Sequence, residues 1–211
     1  MERTDLRSKR LVVLVSGHGS NLQAVLDACA DRSLPAEVVA VVSNRPDVFA
    51  LQRADAAGVP AVHIGPHPGE ARADYDARLA DVVAGFDPDF VVLAGRMRIL
   101  STSFLGWFPD RVVNLHPALP GELPGTHAIE RAWEQAVAGE RTRTGVMLHL
   151  VPDEGVDDGP VLASAEVPID VAAGFEAFAA LVHATEHRLL VDTLSALCSV
   201  PPAHVTREFS A

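Results

Sequence analysis

Apolar residues along this chain fall into short continuous runs that alternate with longer segments of helical spacing. Leu11 to Ser16 (LVVLVS) is almost wholly apolar and of strand length, the pattern of a parallel strand buried on both faces. A helical pattern follows from Leu22 to Ala30. Val38 to Val42 is a second apolar strand, ending at Ser43-Asn44-Arg45-Pro46. Val48 to Ala57 predicts a helix stopped by Gly58, and Val59 to Ile64 a short third strand. A helix is expected from about Glu70 to Ala84, with Leu79, Val82, Val83 and Phe86 at helical spacing, and Asp87-Pro88-Asp89 breaks it. Phe90 to Leu93 is the fourth strand, Ser101 to Phe108 a short helix, and Val112 to His116 the fifth strand. His127 to Ala138 predicts another helix, with Gly139 just past its C-cap. Arg143 to Val151 and Val161 to Pro168 read as two further strands. An amphipathic helix from about Gly174 to Leu197 completes the pattern.

Strand and helix alternate through the first half, which calls for a parallel sheet with helices on both faces. The expected class is α/β: a doubly wound, mostly parallel sheet with a Rossmann-like N-terminal half and a strand–loop–strand plus long helix at the C-terminus. The 211 residues fit one domain over 11–199, between a polar tail at 1–10 and a tail at 200–211 expected to be poorly ordered. A composition 48% hydrophobic supplies a sizeable core. The formal net charge of -11 and the lack of a basic stripe disfavour a nucleic-acid partner. No apolar run approaches a membrane span, and MERTDLRSKR has no signal-peptide core. Cys29 and Cys198 form no metal or redox spacing, and their sparse use fits a reducing, cytoplasmic setting.

Three stretches carry candidate chemistry. In the fifth strand, Asn114 and His116 are two residues apart and so point to the same face. They stand at the carboxyl end of that strand, where open α/β sheets hold ligands. A Pro- and Gly-rich stretch, Pro117 to Gly125, follows at once. An amide beside an imidazole suits a developing oxyanion, because both can donate hydrogen bonds; the same pair can also cap a turn. Between the first strand and first helix, Ser16-Gly17-His18-Gly19-Ser20-Asn21 forms a Gly-containing turn at a helix start. Such a turn offers backbone N–H groups and the helix dipole to an anion. Gly17 and Gly19 let the backbone come close to a ligand, and Ser20 and Asn21 can cap the helix or donate to a phosphate. Ala24 stands where a dinucleotide fingerprint would carry its third Gly. The third stretch, Pro152 to Pro160, holds Asp153, Glu154, Asp157 and Asp158. Acidic turns of this kind are commonly solvated hairpins.

SGHGSNL, VVNLHPALPGELPG and DEGVDDGP resemble, in order and spacing, the motifs of the folate-dependent formyltransferases. Among these the chain is most similar to the phosphoribosylglycinamide (GAR) branch of purine synthesis, from about Leu11 to Leu197. The resemblance implies formyl transfer from 10-formyltetrahydrofolate, a co-substrate, to GAR, with no metal, no nucleic acid and no membrane; it also allows a homodimer. It implies Asn114, His116 and Asp157 as the catalytic set. It implies Gly19, Ser20, Asn21, His183 and Glu186 as GAR-binding, with His183 where the family often has Gln or Lys. It implies Arg72, Met97, Arg98, Ile99, Leu100, Asn114, Asp153, Glu154, Val156 and Asp157 around the folate, although a solvated role serves Arg72 equally well. The chain departs from the pattern at Arg96, where an aromatic residue is expected, and at Ala118-Leu119-Pro120-Gly121, where the loop's Ser is replaced and its Leu-Pro order shifts by one. Both departures bear on the pocket's edge. His127 matches a position near the site, with packing or capping as its competing role.

Formyl transfer to an amine is acyl transfer: the oxyanion needs donors in place, and a group titrating near neutrality suits the proton shuttle. Ser20 and Ser101 have no evident base, so no Ser nucleophile is read here. Two other readings remain: a formyltetrahydrofolate hydrolase of the same fold, and a non-catalytic phosphate-binding α/β module. The module would not need Asn114, His116 and Asp157 together.

Overall fold

A computed structural model of the chain describes residues 7–95 and 98–199. Seven strands form one sheet in the order β3-β2-β1-β4-β5-β6-β7. β1 (Lys9–Val15), β2 (Ala36–Ser43), β3 (Ala61–His63), β4 (Phe90–Leu93) and β5 (Val112–His116) pair in parallel. β6 (Arg143–Leu150) runs antiparallel to both β5 and β7 (Val161–Pro168). β6 alone therefore opposes the common strand direction. The helices are α1 (Ser20–Ala30), α2 (Phe49–Ala56), α3 (Arg72–Ala84), α4 (Thr102–Leu105), α5 (Ala128–Val137) and α6 (Phe175–Ser199). This is the expected doubly wound, mostly parallel architecture.

The apolar run of β1 is continuous because each face of the strand has its own core. Leu11, Val13 and Val15 pack with Leu22 and Val25 of α1 and with Val182, Leu190 and Leu194 of α6. Val12 and Leu14 pack on the other side with Tyr75, Leu79 and Val83 of α3 and with Phe104 of α4. β4 and β5 divide in the same way, so both strands end between two packed layers. That fixes the direction in which the residues at their carboxyl ends project.

Several boundaries differ from expectation for local reasons. β1 starts two residues early, inside the expected tail. The Arg10 N–H donates to Asp89 Oδ2 at 2.8 Å and Lys9 Nζ lies 3.4 Å from Asp89 Oδ1. β3 is half its expected length: Pro60 has no N–H to give a ladder, and β3 is the sheet's edge. α4 covers only Thr102–Leu105, with Gly106 at its C-cap and Pro109 soon after. α5 ends as expected at Gly139, φ 76, with Gly139 N–H bonded to the Ala136 carbonyl (3.0 Å) and Glu140 N–H to Gln135 (2.9 Å). Residues 200–211 lie outside the described residues. Among the described residues no helix is long and apolar enough to cross a membrane.

The Pro-rich loop after β5 rests on β6 at Gly145. A Cβ there would stand 2.4 Å from Leu119 Cδ2 and 2.5 Å from the Ala165 carbonyl oxygen. Gly145→Ala is expected to lower stability by about 1–3 kcal/mol through overpacking, read as earlier unfolding in a denaturant titration.

Candidate active site

Asn114 and His116 share a face of β5, and both reach the same carboxylate. Asp157 Oδ1 accepts from Asn114 Nδ2 at 3.0 Å. Its Oδ2 accepts from the Gly125 N–H at 2.8 Å and lies 3.3 Å from His116 Nδ1. Asp157 arrives from the turn between β6 and β7 with φ +55, a left-handed conformation that Asp tolerates better than most residues. The turn is held from outside: Glu154 pairs with Arg72 of α3 and accepts from the Thr102 N–H at 3.1 Å. Asp153 caps the turn by accepting from the Gly155 N–H at 2.8 Å.

The ring of His116 is almost fully buried. Its Nε2 lies 3.0 Å from the Leu123 carbonyl, which can only accept, so Nε2 carries a proton. Burial pushes the His116 pKa below its ordinary value; the Asp157 carboxylate and the Leu123 carbonyl pull the other way and are outweighed. For Asp157 burial is the largest single influence and raises its pKa. Its neighbours His149, the Gly125 N–H and His116 together overcome that and leave the carboxyl below its usual range. Burial thus works against the charged imidazole while the carboxylate beside it works for it.

These residues stand in a cleft of about 410 Å³. Of the residues expected around a folate, Arg98, Ile99, Leu100, Asn114, Val156 and Asp157 line it. Arg72 and Glu154 pair with each other outside the lining, Asp153 serves its own turn, and Met97 lies outside the described residues, as does Arg96. Of those expected around GAR, Asn21, His183 and Glu186 line the cleft, while Gly19 and Ser20 do not. His183 Nδ1 donates to Glu186 Oε2 at 2.6 Å, and that contact raises the His183 pKa. Glu186 is only 5% exposed, so the pair presents a held carboxylate to the cleft. Asn21 Oδ1 is buried without a hydrogen-bond partner. His127 is the αL N-cap residue of α5; its side chain makes no cap hydrogen bond, and the residue lines the cleft.

The turn before α1 departs from expectation in one respect. Neither Ser20 nor Asn21 caps the helix; Gly19 is the N-cap, at φ 78 and ψ 34. A Cβ on Gly19 would lie 2.7 Å from Ala50 Cβ and 2.9 Å from Ala50 Cα, so this glycine is required where α2 packs on the turn. A Cβ on Gly17 would meet nothing within 4 Å. Gly19→Ala is expected to cost at least about 1 kcal/mol, from the positive φ and the clash, and Gly17→Ala to leave the unfolding midpoint nearly unchanged. Chemical denaturation of both variants decides it.

Three participants carried no recognised signal. His149 stands opposite Asn114 in the β5–β6 register, and its Nε2 is 3.1 Å from Asn114 Nδ2. A lone imidazole in the otherwise apolar run before an acidic turn was the available hint. The Gly125 N–H and the Leu123 carbonyl act through the backbone, which side-chain identity does not reveal.

Comparison with known proteins identifies the family. Residues 9–194 match the family described as Formyl transferase. The chain is 43% identical over 198 residues to the phosphoribosylglycinamide formyltransferase of Schizosaccharomyces pombe, covering 87% of this chain and 94% of that one. It is 39% identical over 179 residues to the Escherichia coli protein of the same name, covering 85% and 82%. The crystal structure of glycinamide ribonucleotide transformylase 1 from Symbiobacterium toebii superposes with a TM-score of 0.85 at 35% identity, covering 93% of this chain and 92% of that one. With a family match spanning almost all of its sheet and helices, the chain belongs to the formyl transferase family.

Proposed function

We propose that this chain transfers the formyl group of 10-formyltetrahydrofolate to the amino group of GAR, giving formyl-GAR and tetrahydrofolate in purine biosynthesis. The observation that carries the reading is the meeting of Asn114, His116 and Asp157 on one wall of a cleft that also holds Asn21 and the His183–Glu186 pair. The amine attacks the formyl carbon and a tetrahedral oxyanion forms. An N–H of Asn114 stabilises that oxygen. The attacking nitrogen loses one proton and the departing folate nitrogen gains one, with His116 as the relay and Asp157 stabilising its charged form. No covalent enzyme intermediate is needed. Glu186 accepts from substrate hydroxyls, and Asn21 with the turn at Gly19 and Ser20 receives the phosphate. Arg98, Ile99, Leu100 and Val156 flank the folate, with Arg72, Met97, Asp153 and Glu154 along its approach. Both substrates are small molecules and the setting is the cytoplasm; a homodimer is the assembly that the family resemblance allows.

The test is an assay of the purified chain with 10-formyltetrahydrofolate, with and without GAR, following tetrahydrofolate release. GAR-dependent release is expected. Release that ignores GAR would make the chain a hydrolase, and a folded protein with no turnover would overturn the reading.

A further inference from the structure

An asparagine amide has little rotational preference of its own, because its terminal torsion is broad. The orientation of Asn114 must therefore come from its partners. There are two for its nitrogen: Asp157 Oδ1 at 3.0 Å and His149 Nε2 at 3.1 Å. His149 Nδ1 lies 2.8 Å from the Leu150 carbonyl. A carbonyl only accepts, so Nδ1 carries a ring proton; this leaves Nε2, which also stands 3.5 Å from Asp157 Oδ1, to offer its lone pair to Asn114. Both amide hydrogens of Asn114 thus have acceptors, and turning the amide over would aim its oxygen at a carboxylate and a lone pair. The two acceptors differ in their setting. The side chain of His149 is 3% exposed on a strand paired on both sides, whereas Asp157 sits on a turn and also serves Gly125 and His116.

To bind an oxyanion, Asn114 must release one hydrogen from these partners. We infer that His149 is a positioning residue for formyl transfer: it anchors one amide hydrogen of Asn114 and so keeps the other, now on Asp157, aimed where the oxyanion forms. This rests on the function proposed above. It explains why an imidazole is placed opposite Asn114 inside an apolar ladder, where a Val or Leu would pack at no desolvation cost.

The test compares His149→Phe, which keeps bulk and removes the acceptor, with His149→Gln, which restores an acceptor oxygen. The Phe variant is expected to lose roughly tenfold or more in kcat, less than removal of the donor itself, with KM for either substrate moving less than about twofold. The Gln variant should recover part of that loss. In an Asn114→Ala background, His149→Phe should cost nothing further. Equal damage in the Phe and Gln variants, or an undiminished effect in the Asn114→Ala background, would overturn the inference. A second measurement is independent of turnover. Long-range proton–nitrogen NMR of the unsubstituted chain should find His149 protonated on Nδ1, with its Nε2 resonance shifting in Asn114→Ala. An Nε2-protonated ring, or an unmoved resonance, would overturn the anchor even in a fully active enzyme. Absence of GAR-dependent turnover would instead count against the proposed reaction, and the nitrogen resonance would still decide the anchor.

Discussion

Asn114→Ala is expected to lower kcat by about 10²-fold or more, the loss typical of removing one oxyanion donor. His116→Ala should cost at least as much, because the proton relay goes with it. The geometry makes the two losses dependent. No hydrogen bond joins Asn114 to His116, but each contacts one oxygen of the same carboxylate, at 3.0 and 3.3 Å. Removing either leaves Asp157 with an unbalanced set of partners, so much of the harm is done by the first substitution. The double variant should therefore be far less impaired than the product of the two single losses, as expected for groups that act as a unit. The measurement is kcat for the three variants with both substrates saturating. Multiplicative losses would mean that the residues serve separate steps, and the shared-site picture would fail.

What could be read in advance followed the chemistry of side chains close in sequence. β4, β5 and β7 have the expected bounds, because each is a short apolar-rich stretch set off by a Pro-, Gly- or Asp-containing break on both sides. Asn114 and His116 were paired by strand alternation alone. Asp157 needed the family resemblance, since an acidic turn has no intrinsic direction; its contacts came only with the fold. His149 was missed because its partner lies 35 residues away and is set by antiparallel register, which local pattern does not specify. Gly19 was legible as a special backbone position but not as the contact point for α2, because Ala50 approaches it only through the sheet's winding. Arg72 and Glu154 pair with each other across 82 residues, a contact that neither residue's local sequence specifies.

Asp157→Asn is expected to depress kcat strongly, whereas Asp158→Asn should do little. Asp157 projects into the cleft, while the Asp158 carboxylate packs beneath Gly155, within 2.8 Å of where a Cβ on that glycine would stand. The adjacent acid is thus an internal control for the charge of the turn. An Asn at 157 has one acceptor oxygen for two donors, so either the Gly125 N–H or the Asn114 amide loses its bond. The pH dependence has a definite sign. Burial holds the His116 pKa below 6.5, and the Asp157 charge is the main influence pulling it back up. Removing that charge should lower the His116 pKa further and move its limb of the kcat/KM profile to lower pH. Because the folded state prefers neutral His116, its contribution to stability is present above pH 6.5 and is lost as pH falls from 6.5 toward the folded value. Asp157→Asn should extend that window to lower pH. The measurements are a pH–rate profile for both variants and an NMR titration of His116. Equal and mild effects at 157 and 158 would remove Asp157 from the catalytic set. A large rate loss with an unmoved His116 pKa would retain it there but assign its work to holding Asn114 and Gly125 in place, which is geometric rather than electrostatic.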